Sequence, residues 1–413
     1  MEVGGCDLVE LAHRHGTPLY VYDEATVRQR ASEYVAAMGD AGQVLYSAKA
    51  FASPQFLRVI AEEGLGLDVV SAGELHLALK SGFPRDRIHF LGNNKSLEDL
   101  QGAYGAGATI VIDGDHEFDL LRSVVPEGKR APVMLRLSPG VKPDTHDHIS
   151  TGQLDSKFGF SIESGAARKA VETALQHPRL DLVGLHSHIG SQIFALRAYE
   201  QAMDIMLGLL VELRDEIGFE PRKLGAGGGL GIAYTQQDDP PTPRHFVETV
   251  RHALESGCAR RGLKVPELVV EPGRSIAGPA GIALYTVGSI KDIPGVRRYV
   301  AVDGGMGDNI RPKLYGARYE AFLASNPDRS PDGKVTIAGK YCESTDILIT
   351  DIPMPPLAPG DVIAVPAAGA YCLAMASNYN GMPRPEVLML RDGEARIMRR
   401  RETLEDLVAA EVF

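Results

Sequence analysis

The sequence predicts an α/β chain joined to a mainly-β domain: a (β/α)8 barrel followed by a sheet-rich C-terminal segment. Three observations predict it. Short Val-, Ile- and Leu-rich runs alternate with amphipathic stretches up to about Glu271, which is the pattern of a parallel sheet covered by helices. Eight such runs occur, the number a closed barrel needs; an open doubly wound sheet is the alternative. From about Ile282 the helical pattern gives way to strands separated by Pro- and Gly-rich connections such as Pro353–Gly360. At 413 residues the chain also exceeds what one hydrophobic core usually serves.

The eight predicted barrel strands are Val44–Ala48, Leu67–Ser71, Ile88–Leu91, Thr109–Ile112, Pro132–Leu137, Leu182–His188, Lys223–Gly227 and Glu267–Glu271. Helical patterns lie between them at Pro54–Glu63, Glu74–Ser81, Leu97–Gly105, Ala166–Gln176, Tyr199–Ile217 and Pro243–Arg261. Ser53-Pro54 reads as an N-cap followed by a proline at the first helical position. Gly64 and Gly82 stand where a helix wants a left-handed residue after its last turn. In the second domain, strands are predicted at Ala283–Ile290, Arg298–Val302, Lys334–Ala338, Asp346–Ile349, Val362–Val365 and Glu386–Leu390.

Composition narrows the function. Hydrophobic residues make up 44% and charged residues 23%, ordinary for a soluble globular protein. A formal charge of −11 argues against a nucleic-acid surface and against binding anionic membranes. The start, MEVGGCDLVELAHRHGTP, has neither the basic residues nor the apolar stretch of a signal peptide. No run approaches the roughly 18 apolar residues of a membrane span. The scattered Cys6, Cys258, Cys342 and Cys372 fit neither a zinc site nor a disulfide framework, so a cytoplasmic protein with reduced thiols is expected.

Reactive groups in such a barrel gather where the strands end. The first strand runs into Lys49, a side chain that is nucleophilic toward an aldehyde once desolvated and otherwise an ordinary strand-end lysine. The sixth ends in H-S-H-I-G-S-Q, placing His186 and His188 on one face. That pair could ligate zinc, but the other strand ends offer Lys49, Gly227 and Glu271, a poor ligand set. His146-Asp147-His148 lies in a polar loop. Gly227, Gly228 and Gly229 follow the seventh strand, where bare backbone N–H groups can cradle a phosphate or simply turn. The eighth delivers Glu271 and Arg274. A carbonyl-trapping lysine, a phosphate cup, a flat imidazole and a carboxylate able to hold a pyridine nitrogen protonated together describe pyridoxal 5'-phosphate.

These motifs resemble the fold-type III pyridoxal-phosphate decarboxylases, whose barrel is alanine racemase-like, and among them the meso-diaminopimelate decarboxylases. The resemblance runs from about Thr17 to Pro385. It is carried by YSAKAF (46–51), GLDVVSAGEL (66–75), LGNNKS (91–96), ISTGQLDSKFG (149–159), HSHIGSQ (186–192), GGGLGIAY (227–234), EPGR (271–274), IRPKLYGA (310–317), CESTD (342–346) and GAYCLAMASNYNG (369–381). It implies a barrel over residues 24–281, with residues 1–23 and 282–413 forming a β domain that completes the site of a partner subunit in a homodimer. It further implies that Lys49 holds the cofactor as a Schiff base, His188 stacks on the ring and Glu271 meets its nitrogen. Ser191 and Gly227–Gly229 are implied to contact the phosphate, Gly273 and Arg274 to bind the cofactor, and Asp68 to lie near Lys49. Cys342 is implied to protonate the α-carbon after carbon dioxide leaves. Arg274, Arg311, Tyr315, Glu343 and Tyr371 match positions that bind substrate or cofactor.

The substrate implied is meso-2,6-diaminopimelate, giving L-lysine as the last step of bacterial lysine synthesis. Its distal amino acid head calls for cations, Arg311 and Arg274, and for an ammonium acceptor, Glu343. Decarboxylation of lysine, ornithine or arginine, a specialised paralogue, and a non-catalytic pyridoxal-phosphate-binding regulator are the alternatives. Ornithine enzymes of the fold carry an acid-rich motif where this chain has CESTD, and a silent regulator would be expected to lose Lys49 or Cys342.

Overall fold

The computed structural model describes residues 1–141 and 156–412, so His146, His148 and most of the ISTGQLDSKFG stretch fall outside the described residues. Eight parallel strands form the first sheet: β1 (Gly42–Ser47), β2 (Gly66–Val69), β3 (Ile88–Phe90), β4 (Thr109–Ile112), β5 (Ala131–Ser138), β6 (Leu180–Ser187), β7 (Lys223–Gly227) and β8 (Glu267–Val270). Pairing runs from β6 through β7 and β8 to β1, on through β2, β3 and β4 to β5, and β5 pairs with β6 to close the barrel. A short strand, Phe160–Ser161, adds to β5 at Leu137 and Ser138. The (β/α)8 barrel expected from the alternating runs is therefore present, and the open sheet is not.

Local chemistry sets the element ends. Ser53 Oγ accepts from the Phe56 N–H at 3.2 Å, and Pro54 opens the helix Pro54–Glu62. Losing such a cap costs about 1 kcal/mol. The same helix buries Phe56, Leu57, Val59 and Ile60, at roughly 1.5–3 kcal/mol each as an upper bound. Gly64 and Gly82 follow their helices at φ 86° and 76°, a conformation that costs glycine little. Ser71, expected at the end of a strand, instead caps the helix Ala72–Lys80, its Oγ accepting from the Glu74 N–H. A helix at His116–Val124 was absent from the expected set; its buried apolar residues are only Phe118 and Leu121, too few for a clear period.

The chain divides into two compact units. One comprises residues 30–231 and 240–275 and contains the barrel strands; the other comprises residues 1–29, 232–239 and 276–413. In the second, a seven-strand path runs from Ile347–Met354 through Gly333–Ala338, Arg297–Val302, Gly281–Ile293 and Leu19–Asp23 to Glu386–Arg391 and Glu394–Arg399. The N-terminal strand pairs antiparallel with Gly281–Leu284 and parallel with Glu386–Leu390. Leu8, Leu19, Val21, Leu284, Ala364 and Leu388 form its core. Among the described residues no helix is long and apolar enough to cross a membrane, and the four cysteines form no disulfide.

Candidate active site

Side chains of paired residues in neighbouring parallel strands share a face. The register Ser47↔Asp68↔His89 across β1, β2 and β3, and Arg136↔His186↔Gly225 across β5, β6 and β7, lines up two such rows. Lys49 lies two residues past β1 in the 3-10 turn Ala48–Ala50, exposed between two buried alanines. Asp68 is 2% exposed. Its Oδ2 accepts from Ser47 Oγ at 2.6 Å, while Oδ1 is buried with no partner among the described residues. Burial and the charge of Glu271 push the Asp68 carboxyl up, with the Lys49 ammonium opposing them. Glu74 accepts from the Val70 N–H at 2.8 Å, yet burial still pushes it up to about 7.

Strands β6, β7 and β8, the last of them paired with β1, lead to His186, His188, the glycines and Glu271. Glu271 follows β8, with its backbone N–H donating to Gly227 O at 2.9 Å. Its side chain is 5% exposed and that of His186 is 1% exposed; His186 Nε2 and Glu271 Oε2 are 2.9 Å apart. Burial alone raises such a carboxyl, but His186, by charge and hydrogen bond, holds Glu271 well below the usual range. Burial pushes the His188 imidazole down to about 3, with Lys49 and Arg136 adding to the effect. The ring is therefore neutral, and the Gly228 N–H donates to its Nδ1 at 3.3 Å, which leaves the proton on Nε2.

Gly227 and Gly229 hold φ of 71° and 101°. A Cβ on Gly227 would stand 2.6 Å from Ser187 O, and one on Gly229 2.2 Å from Gly190 O. Ile193 N–H donates to Gly229 O at 2.9 Å, which straps the glycine run to the loop after β6. Arg274 Nη2 donates to Ser191 Oγ at 2.8 Å. Gly273 admits the β1 end: a Cβ there would meet Ser47 Cβ and Ala50 Cβ at 3.1 Å. These residues fit pyridoxal phosphate. A backbone cup that no side chain could share, a buried ionised acid, a neutral imidazole and a lysine whose charge reaches Asp68 and His188 are all on one unit.

The other unit holds the remaining predicted residues. Arg311 is 4% exposed. Its Nη1 donates to Tyr319 OH, and its guanidinium lies 4.6 Å from the Tyr234 ring centroid. Tyr319 OH is 3.5 Å from Cys372 Sγ. Tyr315, at the end of the short helix Arg311–Tyr315, is 63% exposed. Cys342 is exposed, with its N–H donating to Asn380 Oδ1 at 2.8 Å. The Thr345 N–H and Oγ1 donate to Glu343 Oε1, both at 3.2 Å, and hold its carboxyl below the usual range. Tyr371 sits at φ 62°, strain that a non-glycine residue keeps only when its surroundings impose it.

Sequence reasoning left the roles of three polar side chains unassigned. Arg136 shares the His186 row, lies 3.5 Å from Asp113 Oδ1 and sits over the Phe158 ring at 4.2 Å. Its signal was an arginine inside the apolar run Val133–Leu137. Glu74 had only its place in the GLDVVSAGEL stretch. His186 was seen, but as one member of a metal-like pair rather than as the partner of Glu271.

A family model described as pyridoxal-dependent decarboxylase, pyridoxal binding domain, matches residues 24–278. The chain is 49% identical over 414 residues to the diaminopimelate decarboxylase of Bacillus subtilis, covering 99% of this chain and 94% of that one. Among solved structures, the diaminopimelate decarboxylase of M. jannaschii in complex with L-lysine superposes with a TM-score of 0.91 at 34% identity, over 98% of this chain and 94% of that one. The Helicobacter pylori enzyme complexed with L-lysine gives 0.86 at 31%, over 97% and 98%. On these grounds the chain belongs to the diaminopimelate decarboxylase family of pyridoxal-dependent decarboxylases.

Proposed function

We propose that this chain decarboxylates meso-2,6-diaminopimelate to L-lysine and carbon dioxide with pyridoxal 5'-phosphate, as a cytoplasmic homodimer. One observation carries the reading: Glu271 is a buried carboxylate kept ionised at the end of β8, beside a glycine cup and next to β1, the strand that leads to Lys49. When bound, the cofactor accepts the electron pair released as a bond to the substrate α-carbon breaks. Lys49 is the amine that holds it covalently. Gly227–Gly229, Ser191, Gly273 and Arg274 take its phosphate end. Glu271 holds the proton on its ring nitrogen, and neutral His188 provides a flat apolar face. Asp68, beside Lys49, is the acid that receives or returns a proton at the lysine amine.

Substrate recognition falls to the second unit. Arg311 takes the distal carboxylate, and Glu343, held below the usual carboxylate range by its Thr345 bonds, accepts the distal ammonium. Tyr315 and Tyr371 line the same substrate. Cys342, which is exposed, protonates the α-carbon. Cys342 and Glu343 act on the barrel site of a partner copy, a reading supported by the exposure of Cys342 and of the neighbouring Tyr315.

The direct experiment offers diaminopimelate, lysine, ornithine and arginine in parallel to the purified protein with pyridoxal phosphate. Carbon dioxide release from diaminopimelate alone is expected. Preference for another of the four overturns the substrate assignment, and silence with all four despite bound cofactor makes the protein a regulator. Arg311→Lys, which keeps the charge but loses the planar fork, should raise KM for diaminopimelate by about 10- to 100-fold with cofactor affinity unchanged. Unchanged KM would remove Arg311 from substrate recognition.

A further inference from the structure

A buried carboxylate left to itself takes up a proton, and a carboxylic acid cannot serve as the anion a ring N–H needs. Glu271 therefore requires something that keeps it charged. Three imidazoles bear on it: His186, His188 and His89. Burial pushes both His188 and His89 down to about 3, so at neutral pH neither brings a positive charge. Among the described residues only His186 hydrogen-bonds the carboxylate, through Nε2 at 2.9 Å.

The surroundings of His186 fit that one contact. Residue 225 on β7 stands in register with it, and as glycine it leaves the space the ring occupies: a Cβ there would lie 2.8 Å from His186 Cδ2. The far ring nitrogen, Nδ1, is buried with no hydrogen-bond partner among the described residues. His186 is thus anchored on its Glu271 side alone.

We propose that His186 is a positioning residue for the cofactor: through its Nε2 it fixes the Glu271 carboxylate that holds the ring nitrogen's proton, and Gly225 is the vacancy that lets it do so. The proposal deepens the decarboxylase reading and rests on it. His186 touches neither substrate nor cofactor; its effect passes through Glu271.

The test compares wild type, His186→Gln and His186→Met. Gln and Met are close in volume, but only the amide of Gln can put an N–H where Nε2 was. His186→Met should lower kcat by about 100-fold and weaken pyridoxal phosphate about tenfold, with KM within threefold, the scale on which partners of direct ligands act. His186→Gln should recover most of both losses. Gly225→Ala, which crowds the ring without altering any charged group, should reproduce part of the Met phenotype. Absorbance titration of the apo-proteins with 1-deaza-pyridoxal phosphate, whose ring carries C–H in place of the nitrogen, gives a readout independent of turnover. Against this analogue wild type and His186→Met should bind equally.

The proposal is overturned if Met and Gln behave alike, if His186→Met keeps kcat within threefold of wild type, or if its binding defect persists with the deaza analogue. Should His186→Met fail to fold, His186→Asn replaces it, since its shorter amide cannot span the distance and the same losses are expected. Wild type that binds no pyridoxal phosphate and releases no carbon dioxide sinks the functional reading itself. Wild type that does both, beside an unaffected His186→Met, sinks only this inference.

Discussion

Gly228 passes so close to the backbone of Glu271 that a Cβ would stand 2.0 Å from the Glu271 carbonyl oxygen. The phosphate cup and the acid thus share one packed backbone contact, which ties two parts of the site that sequence places 43 positions apart. The cup is held from its other side too, where Tyr199 OH donates to Gly228 O at 3.0 Å.

Gly228→Ala should therefore damage cofactor binding rather than merely crowd a loop. A backbone shift is the only relief, at a cost on the order of 1–3 kcal/mol. Pyridoxal phosphate affinity should fall by about 100-fold, roughly 2.7 kcal/mol. Titration of the apo-variant checks it. Wild-type affinity would mean the glycine run does not hold the phosphate.

Cys342→Ala separates proton delivery from cofactor binding. Removing a general acid costs about 10²- to 10⁴-fold in rate, so kcat should drop within that range while bound cofactor stays at one per chain. Full activity would strip Cys342 of its role. Loss of cofactor would reassign it to binding.

Acid should loosen the barrel through its buried histidines. His89 and His188 are both pushed down to about 3 by burial, whereas an unfolded histidine titrates near 6.5. The unfolded chain then binds protons first as pH falls. Stability from the neutral rings is complete above about pH 6.5 and drains away toward pH 3, at up to about 1.4 kcal/mol per pH unit for each ring. Urea midpoints of the apo-protein at pH 7, 5.5 and 4.5 should fall steadily. His89→Gln, which cannot titrate, should fall less steeply; parallel curves would rule His89 out as a source.

Much of this architecture was legible because parallel strands covered on both faces read as apolar runs. Thr109–Ile112 and Lys223–Gly227 match their expected bounds to the residue. Ends were harder, as Ser71 shows: a serine after an apolar run looks like strand until its bond to the Glu74 N–H makes it a cap. The strand Glu394–Arg399 escaped notice because half its residues are charged and none is buried, so no alternation of apolar side chains marks it.

Site chemistry divided along similar lines. Lys49, the glycine run and Glu271 could be singled out because each stands where a strand ends. Arg136 and His186 could not be assigned, because what they meet depends on the register of β5, β6 and β7, and register is a tertiary property. The buried state of Arg311, enclosed by Tyr234 and Tyr319, was equally hidden, since an R-P dipeptide ordinarily signals a loop. The left-handed backbone of Tyr371 has no sequence mark.

Borohydride reduction of the protein saturated with pyridoxal phosphate, followed by peptide mass mapping, bears most directly on the covalent chemistry. A pyridoxyl group should be found on the peptide containing Lys49 and on no other, and Lys49→Ala should carry none. An unmodified Lys49, or a label on a different lysine, would contradict the assignment of Lys49 as the residue that holds the cofactor.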